Sequence, residues 1–212
     1  MPATILYYTP NSCSLASHIA LVESGLPYSL AKVDIRKHTL EDGSDYYAIN
    51  PKGYVPMLQL DDGTLLAEGV VILQYIADQV PGKLAPAYGT LGRYRVMEWL
   101  TFVNSEVHKQ YSPLFYPTTP DATKEQIRTK LAGRFEYLSK VLQSQPYLAG
   151  NAFTIADAYL FTILNWSHNL KVDLSPYPAL VAYQERVRGR PSVQRAMTQE
   201  GLVKPQAETV TT

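Results

Sequence analysis

The chain contains a single cysteine, Cys13, in a position where a thiol can become reactive. The β-branched and aromatic residues 4–8 precede it, and apolar residues at helical spacing follow it as far as Gly25. A turn between a strand and a helix exposes unpaired amides and the positive end of the helix dipole. We therefore expect a lowered pKa for Cys13, with an inert, buried thiol as the alternative.

The surrounding residues limit what this thiol can do. Tyr8 and Ser14 are close in sequence, so their hydroxyls can donate to this sulfur or to a second one. With no second cysteine, an internal disulfide cycle and a multi-cysteine metal site are excluded. A second thiol must therefore come from a small molecule.

Two further stretches have the residue types that bind a small peptide-like ligand. Val55 and Pro56 begin a predicted strand, and a cis bond there would leave the Val55 amide and carbonyl free to pair with an extended ligand. Glu68 and Gly69 begin a predicted helix, where amides can receive a carboxylate and a glutamate can receive an ammonium. A trans bond and a simple helix-dipole contact of Glu68 are the alternatives.

His108 stands in a predicted long helix, two residues after Glu106. Residues at this spacing point to different faces of a helix, so a metal site there is disfavoured. A lone helical histidine is more often structural unless another element places it beside the thiol. His18 and His168 are interpreted as structural.

Composition narrows the class of protein. The 212 residues include 19 basic and 19 acidic side chains, so no net charge draws the chain to nucleic acid or to anionic lipid. We find no apolar run long enough to span a membrane and no secretory leader at Met1. Together with the lone cysteine, this predicts a soluble cytoplasmic protein.

Hydrophobic patterns divide the chain into two domains. Residues 1–80 read as β-α-β, an irregular stretch, and β-β-α. A linker rich in proline and glycine at 81–86 precedes residues 87–203, which we predict to be helical, and 204–212 is expected to be a flexible tail. The predicted helices of the second domain cover residues 88–115, 123–143, 155–170, 178–188 and 192–200. Thr154 and Asp157 form a predicted capping box, which gives Asp157 a structural role.

These features occur in an order that resembles the cytosolic glutathione transferases, and most of all their bacterial beta class. The resemblance extends from YYTPNSCSLASHI through INPKGYVPMLQLDDGTLLAEGVVILQYIAD and FTIADAYLFTIL to RPSVQRAMTQEGL. It implies a thioredoxin-like domain of the order β-α-β-α-β-β-α that binds glutathione, followed by an all-helical domain that forms the electrophile site.

The resemblance also assigns roles around the thiol. Cys13 matches the active-site cysteine of the class, which can form a mixed disulfide with glutathione. Tyr8 and Ser14 match its hydroxyl neighbours. Ser105 and His108 match helical residues that reach the thiol, which implies a function for His108.

The remaining glutathione contacts follow from the same matching. Val55, before a cis Pro56, is matched to the residue whose backbone pairs with the cysteinyl part of glutathione. Glu68 and Gly69 correspond to the γ-glutamyl site. Trp166 resembles an aromatic residue at the domain interface.

Two positions depart from the pattern of the class. His38 stands where a lysine commonly reaches the glycyl carboxylate, and Thr101 stands where an asparagine is common on the long helix. The glutathione affinity or the proton network can differ as a result. Tyr111 and Phe115 are expected to shape the electrophile pocket together with Trp166.

The resemblance implies a homodimeric, cytoplasmic detoxification enzyme that transfers glutathione to a small hydrophobic electrophile, with no metal, nucleic acid or membrane partner. Thiol-disulfide exchange through Cys13 is a possible second activity of the same site. A non-catalytic binding protein on the same fold and a glutathione-dependent dehalogenase are the alternatives.

Overall fold

The computed structural model describes residues 4–204, and its first half is a mixed sheet with helices on it. The elements are β1 (Thr4–Tyr8), α1 (Ser14–Ser24), β2 (Tyr28–Asp34), β3 (Thr39–Leu40), β4 (Met57–Gln59), β5 (Leu65–Ala67) and α2 (Gly69–Asp78). The strand order is β3-β2-β1-β4-β5. Strand β1 is parallel to β2 and antiparallel to β4, so α1 is the crossover of a β-α-β unit.

Alternation along β1 decides which of its side chains can reach the site. Leu6 and Tyr8 pack into the main core, to which α1 and α2 also contribute. Tyr7 points to the opposite face and packs in a smaller cluster with Tyr46. Tyr8, and not Tyr7, therefore shares its core with α1 and with Cys13 at the start of that helix.

The segment between β2 and β4 differs in detail from the order β-α-β-α-β-β-α that the resemblance implies. A single 3-10 turn, Tyr46–Ala48, stands where an α-helix was implied, and the two-residue strand β3 precedes it. Asp45 caps this turn by accepting from the Tyr47 amide at 2.9 Å. The segment is too short and too polar to supply the apolar stripe that an α-helix needs to pack on the sheet.

The second half of the described chain is helical. Its helices are α3 (Leu91–Phe102), α4 (Lys109–Tyr111), α5 (Asp121–Ser144), α6 (Ile155–Leu164), α7 (Trp166–Asn169), α8 (Pro178–Arg188) and α9 (Pro191–Gln199). The long helix expected over 88–115 is not uniform, because a π-helix, Val103–His108, separates α3 from α4. The α/β plus all-α architecture expected from the sequence is confirmed.

The two halves share one core. Helix α1 packs against both α6 and α9 of the helical half. Leu84, in the expected linker, is fully buried, and its carbonyl accepts from the Ile155 amide at 3.0 Å. The segment that joins the halves therefore also anchors the start of α6.

Asp157 stabilises the start of α6, as the capping box predicts. Its Oδ2 accepts from the Thr154 amide at 2.9 Å. Its Oδ1 accepts from the Leu148 amide at 2.9 Å and from the Tyr183 hydroxyl at 3.2 Å. The carboxylate is fully buried and joins α6 to α8 and to the preceding loop.

Among residues 4–204, no helix has both the length and the apolar character needed to cross a membrane. The expected tail at 204–212 lies outside the described residues, apart from Lys204.

Candidate active site

Cys13 lies in the turn between β1 and α1, immediately before the first residue of the helix. Its Sγ donates to the backbone carbonyl of Val55 at 3.3 Å. Ser14 is fully buried, and its hydroxyl bonds the backbone of Thr9 instead of the sulfur, accepting from the amide at 3.2 Å and donating to the carbonyl at 3.3 Å. Cys13 and Val55 therefore come together, while Ser14 supports the turn.

The expectation of a lowered pKa for Cys13 is wrong. Burial raises the pKa of the Cys13 thiol to about 11. The nearby backbone amides and the charge of Lys109 act in the opposite direction but are weaker. The hydrogen bond to the Val55 carbonyl also requires the S–H proton, so the thiol is neutral near pH 7.

Glu200 and Trp166, two residues of the helical half, hold the turn that carries Cys13 by bonding the backbone of Asn11. Asn11 has a left-handed backbone with φ of 58°. Its amide donates to Glu200 Oε2 at 3.1 Å, and its carbonyl accepts from the Trp166 indole at 2.9 Å. The amide and the carbonyl of Asn11 are thus both hydrogen-bonded by side chains of the helical half. These contacts stabilise the unfavourable φ of Asn11.

Glu200 is itself fixed by a buried hydrogen bond to His18. His18 Nδ1 lies 2.9 Å from Glu200 Oε1, and both side chains are fully buried. His18 Nε2 lies 2.9 Å from Gln199 Oε1. His18, interpreted from the sequence as structural, thus links α1 to the end of α9 beside the Cys13 turn.

Val55 precedes a cis peptide bond to Pro56, as the resemblance implies. The preceding residue is held firmly, because the Tyr54 carbonyl accepts from the Tyr46 hydroxyl at 2.9 Å and from Asn50 Nδ2 at 2.6 Å. Tyr46 and Asn50 are both buried. The Val55 backbone therefore stands on a rigid support beside the thiol.

Glu68 adopts a left-handed backbone, with φ of 68°, directly before α2. Such a conformation is costly for a residue with a side chain and is often found at binding sites. Its carboxylate pairs with Lys52 Nζ at 2.6 Å, and both side chains are exposed. Gly69 lies against Pro56, to which a Cβ on Gly69 would come within 3.6 Å, so the start of α2 adjoins the Val55-Pro56 segment.

Three side chains of the helical half, His108, Tyr159 and Asn104, form a hydrogen-bonded chain. His108 Nδ1 lies 2.6 Å from the Tyr159 hydroxyl, and that hydroxyl donates to Asn104 Oδ1 at 2.9 Å. Burial raises the pKa of Tyr159, and the negative charge of Glu68, or of Cys13 when it is ionised, would raise it further, so the chain of side chains lies near both residues.

His108 is neutral near pH 7. Burial, aided by the positive charge of Lys109, lowers the pKa of His108 to about 4. His108 therefore carries no positive charge that could lower the pKa of a nearby thiol. A neutral imidazole can still donate a hydrogen bond from one ring nitrogen and accept one at the other.

Thr101 and Ser105 use their hydroxyl protons within their own helix. Thr101 donates to the Met97 carbonyl at 2.9 Å, and Ser105 donates to the Thr101 carbonyl at 3.0 Å. Both residues are exposed. Each oxygen keeps lone pairs, so a ligand can still donate to it.

Tyr8 belongs to the His18 side of the turn. Its ring centroid lies 6.1 Å from that of His18. Burial and the charge of Glu200 raise the pKa of Tyr8, so its phenol is a neutral donor near pH 7.

His38 also has a left-handed backbone, with φ of 54°. Its ring lies 4.4 Å from that of Tyr47 and packs closely against Gly53, where a Cβ would come within 2.7 Å of Nδ1. That Nδ1 atom is buried and has no partner among residues 4–204. The ring is thus firmly positioned at the edge of the sheet domain.

Aromatic side chains continue the helical wall beyond His108. The Trp166 ring lies 5.1 Å from His108 and 5.0 Å from Phe115, and Phe115 is half exposed. Tyr111 does not line a pocket, because it is fully buried with its hydroxyl 2.6 Å from Ser167 Oγ. Phe115 is therefore the accessible face of this aromatic group.

Comparison with known proteins identifies the family. Residues 12–79 match the model of the glutathione S-transferase N-terminal domain, and residues 98–191 match that of the C-terminal domain. A curated relative, glutathione S-transferase GstA of Escherichia coli O157:H7, is 48% identical over 199 residues, which cover 93% of this chain and 98% of that protein. The chain belongs to the glutathione S-transferase family.

Solved structures agree with this assignment. The ternary complex of BphK, a bacterial GST, shares 50% identity and a TM-score of 0.92, covering 93% of this chain and all of that one. A sphingomonad glutathione S-transferase complexed with glutathione shares 44% identity and a TM-score of 0.90, covering 94% of this chain and all of that one.

The candidate site of this transferase also contains residues that the sequence analysis did not single out. The Tyr159 hydroxyl bonds both His108 and Asn104, and Asn11 and Glu200 shape the Cys13 turn. The sequence did contain a signal for Tyr159, because it places a phenol in the nearly all-apolar helix α6. A buried tyrosine hydroxyl usually has a hydrogen-bond partner. Asn11 and Glu200 gave no such signal, since their contact spans most of the chain.

Two observations bear on whether Glu106 and His108 of this transferase could bind a metal ion. Glu106, considered beside His108, instead pairs with Arg134 at 2.6 Å. Within residues 4–204, no group of three or more His, Cys, Asp or Glu side chains is placed to hold a metal ion.

Proposed function

We propose that this glutathione S-transferase uses the sulfur of glutathione as its nucleophile and uses Cys13 to hold that sulfur. The observation that carries the proposal is the Cys13 Sγ contact with the Val55 carbonyl at 3.3 Å. It places a neutral thiol at the backbone group expected to pair with the cysteinyl part of glutathione. A neutral thiol is a poor nucleophile, and its single S–H proton becomes free to donate to a thiolate once the Val55 carbonyl pairs with the glutathione backbone instead.

The rest of glutathione extends along the sheet domain. Its γ-glutamyl carboxylate would meet the amides at the start of α2 near Gly69, and its ammonium would meet the Glu68 carboxylate in place of Lys52. Its glycyl carboxylate would reach His38, whose ring is already held by Tyr47 and Gly53. Thr101 and Ser105 would contribute hydroxyl oxygens from the helical half.

The second substrate is a small hydrophobic electrophile. The half-exposed Phe115, which packs on the buried Trp166 beside His108, offers it an aromatic surface. An electrophile with an aromatic ring would pack on Phe115 while its reactive carbon faces the sulfur.

A thiol-disulfide exchange at Cys13 is the second candidate activity. The residue is a free cysteine and is only partly buried, which favours access by a disulfide. Against this, the raised pKa of Cys13 leaves little thiolate near pH 7. We therefore place conjugation first.

The wider setting follows from the family. We propose that residues 1–80 form the glutathione-binding domain, 81–86 the linker and 87–203 the electrophile domain. Leu91 and Tyr94 are exposed on α3, and we propose that they belong to the interface of a homodimer. A beta-class detoxification role in the bacterial cytoplasm completes the proposal.

A Cys13→Ala variant with a Cys13→Ser control tests the proposed role. Conjugation of glutathione to an aromatic halide and reduction of a glutathione mixed disulfide would be measured on both proteins. Conjugation within about tenfold of the unmodified protein, with more of it kept by the serine hydroxyl, supports a holding role. Loss of conjugation by more than about a thousandfold in both variants would make Cys13 the nucleophile. Failure of the unmodified protein to bind immobilised glutathione would favour a different ligand.

A further inference from the structure

Tyr159 is a buried phenol with two polar partners and only one proton. The residue is 3% exposed, and its oxygen contacts both His108 Nδ1 and Asn104 Oδ1. The contact with Asn104 uses the phenol proton, because a carbonyl oxygen can only accept. At the other contact, 2.6 Å long, the proton must therefore come from His108 Nδ1.

We propose that Tyr159 and Asn104 are positioning residues that hold His108 in the tautomer protonated on Nδ1, which leaves Nε2 as the acceptor for the proton of the glutathione thiol. The inference rests on the proposed function, because it needs glutathione beside His108. It assigns Tyr159 and Asn104 no contact with the substrate.

The surroundings of the imidazole fit this role. Nε2 has no hydrogen-bond partner among residues 4–204 and is not among the buried unpaired atoms of that part of the chain. Trp166 lies edge-on to the ring at 5.1 Å, and Tyr159 lies perpendicular to it at 5.8 Å. The ring is therefore fixed in orientation while one nitrogen stays accessible.

The proton transfer balances without any other reactant. The thiol proton of glutathione moves to Nε2, and the electron pair of the S–H bond stays on sulfur. The imidazolium keeps its Nδ1 proton on Tyr159, and the adjacent thiolate stabilises the new positive charge. When the thiolate forms a carbon–sulfur bond, the halide departs with its electron pair and His108 returns the proton to water.

The opposite arrangement of protons gives a clear alternative. If the Asn104 amide were turned, its Nδ2 would donate to Tyr159, the phenol would donate to Nδ1, and Nε2 would carry the proton. Substitutions at Asn104 separate the two cases. Aspartate can only accept and so preserves the proposed direction, whereas alanine frees the phenol to donate to Nδ1.

The test is the tautomer of His108, read from the nitrogen resonances of the protein labelled with ¹⁵N-histidine. A His108→Gln protein identifies the His108 signals, and the exposed His168 is the internal control. We expect the Nδ1–H tautomer in the unmodified protein and in Asn104→Asp, and a shift toward Nε2–H in Asn104→Ala and Tyr159→Phe. An Nε2–H tautomer in the unmodified protein, or the same tautomer in all the variants, would overturn the proposal.

Kinetics give a second readout that is separate from folding. In Tyr159→Phe and Asn104→Ala we expect kcat to fall by about tenfold to a hundredfold, with KM for glutathione nearly unchanged, because general base catalysis contributes about 10² to 10⁴. Asn104→Asp should retain more activity than Asn104→Ala. Equal activity in both would contradict the proposal. The tautomer of His108 can be read from a protein that is not turning over. A protein that does not conjugate glutathione would therefore refute the proposed function, and the tautomer would still be decided by the nitrogen resonances.

Discussion

The two sides of the candidate site are built in different ways. The sheet domain offers mainly backbone groups and exposed side chains, such as the Val55 carbonyl and the Glu68 carboxylate. The helical domain offers buried or half-buried side chains that bond one another, such as His108 and Tyr159. The difference suggests that the first side holds glutathione and that the second side acts on its sulfur.

The largest expected effect comes from the helical side. His108→Gln removes the imidazole acceptor, and we expect kcat for conjugation to fall by about a hundredfold or more. KM for glutathione should change little, because binding depends on the sheet side. Steady-state kinetics over glutathione concentration measure both quantities. A large rise in KM with unchanged kcat would reverse the assignment of the two sides.

The next effect tests the link between the two sides. Trp166→Phe removes the indole donor to the Asn11 carbonyl, and we expect a loss of about 1–2 kcal/mol in the free energy of unfolding. The turn should also loosen and speed the alkylation of Cys13. Denaturant titration and the rate with iodoacetamide would be measured against Trp99→Phe, since the chain has only these two tryptophans. Equal effects of both substitutions would argue against a specific link.

A smaller effect is expected at the edge of the sheet side. His38→Ala should weaken glutathione binding severalfold, because the ring would no longer donate a hydrogen bond to the glycyl carboxylate. Direct calorimetric titration with glutathione gives the measurement. Unchanged binding would remove His38 from the glycyl carboxylate site.

The smallest effect concerns the exposed pair of Lys52 and Glu68. Lys52→Met should change the free energy of unfolding by less than about 1 kcal/mol, since exposed ion pairs are weak. It also frees the Glu68 carboxylate, so we expect glutathione to bind slightly more tightly. Weaker binding would mean that Lys52 itself contacts the ligand.

The sheet side could be predicted from the sequence to a large extent because its parts are local. Cys13 follows a strand and precedes a helix, and Val55-Pro56 and Glu68-Gly69 are adjacent pairs with recognisable backbone roles. The pKa of Cys13 could not be predicted, because it depends on how deeply the thiol packs and on the Val55 carbonyl, which is 42 residues away.

The helical side was harder to predict for the same physical reason. His108 and Tyr159 are 51 residues apart, and Asn11 and Glu200 are 189 residues apart. Periodicity indicates which face of a helix is buried, but it does not say which polar groups meet in the core. The π-helix Val103–His108 was also unforeseen, because no proline or glycine marks it.

A structure of the protein with bound glutathione tests the central claim most directly. We predict that the glutathione sulfur lies within hydrogen-bond distance of both Cys13 Sγ and His108 Nε2, with the γ-glutamyl end at Glu68. A sulfur that lies near Tyr8 and away from His108, or one joined to Cys13 in a disulfide under reducing conditions, would contradict the division between a holding side and an acting side.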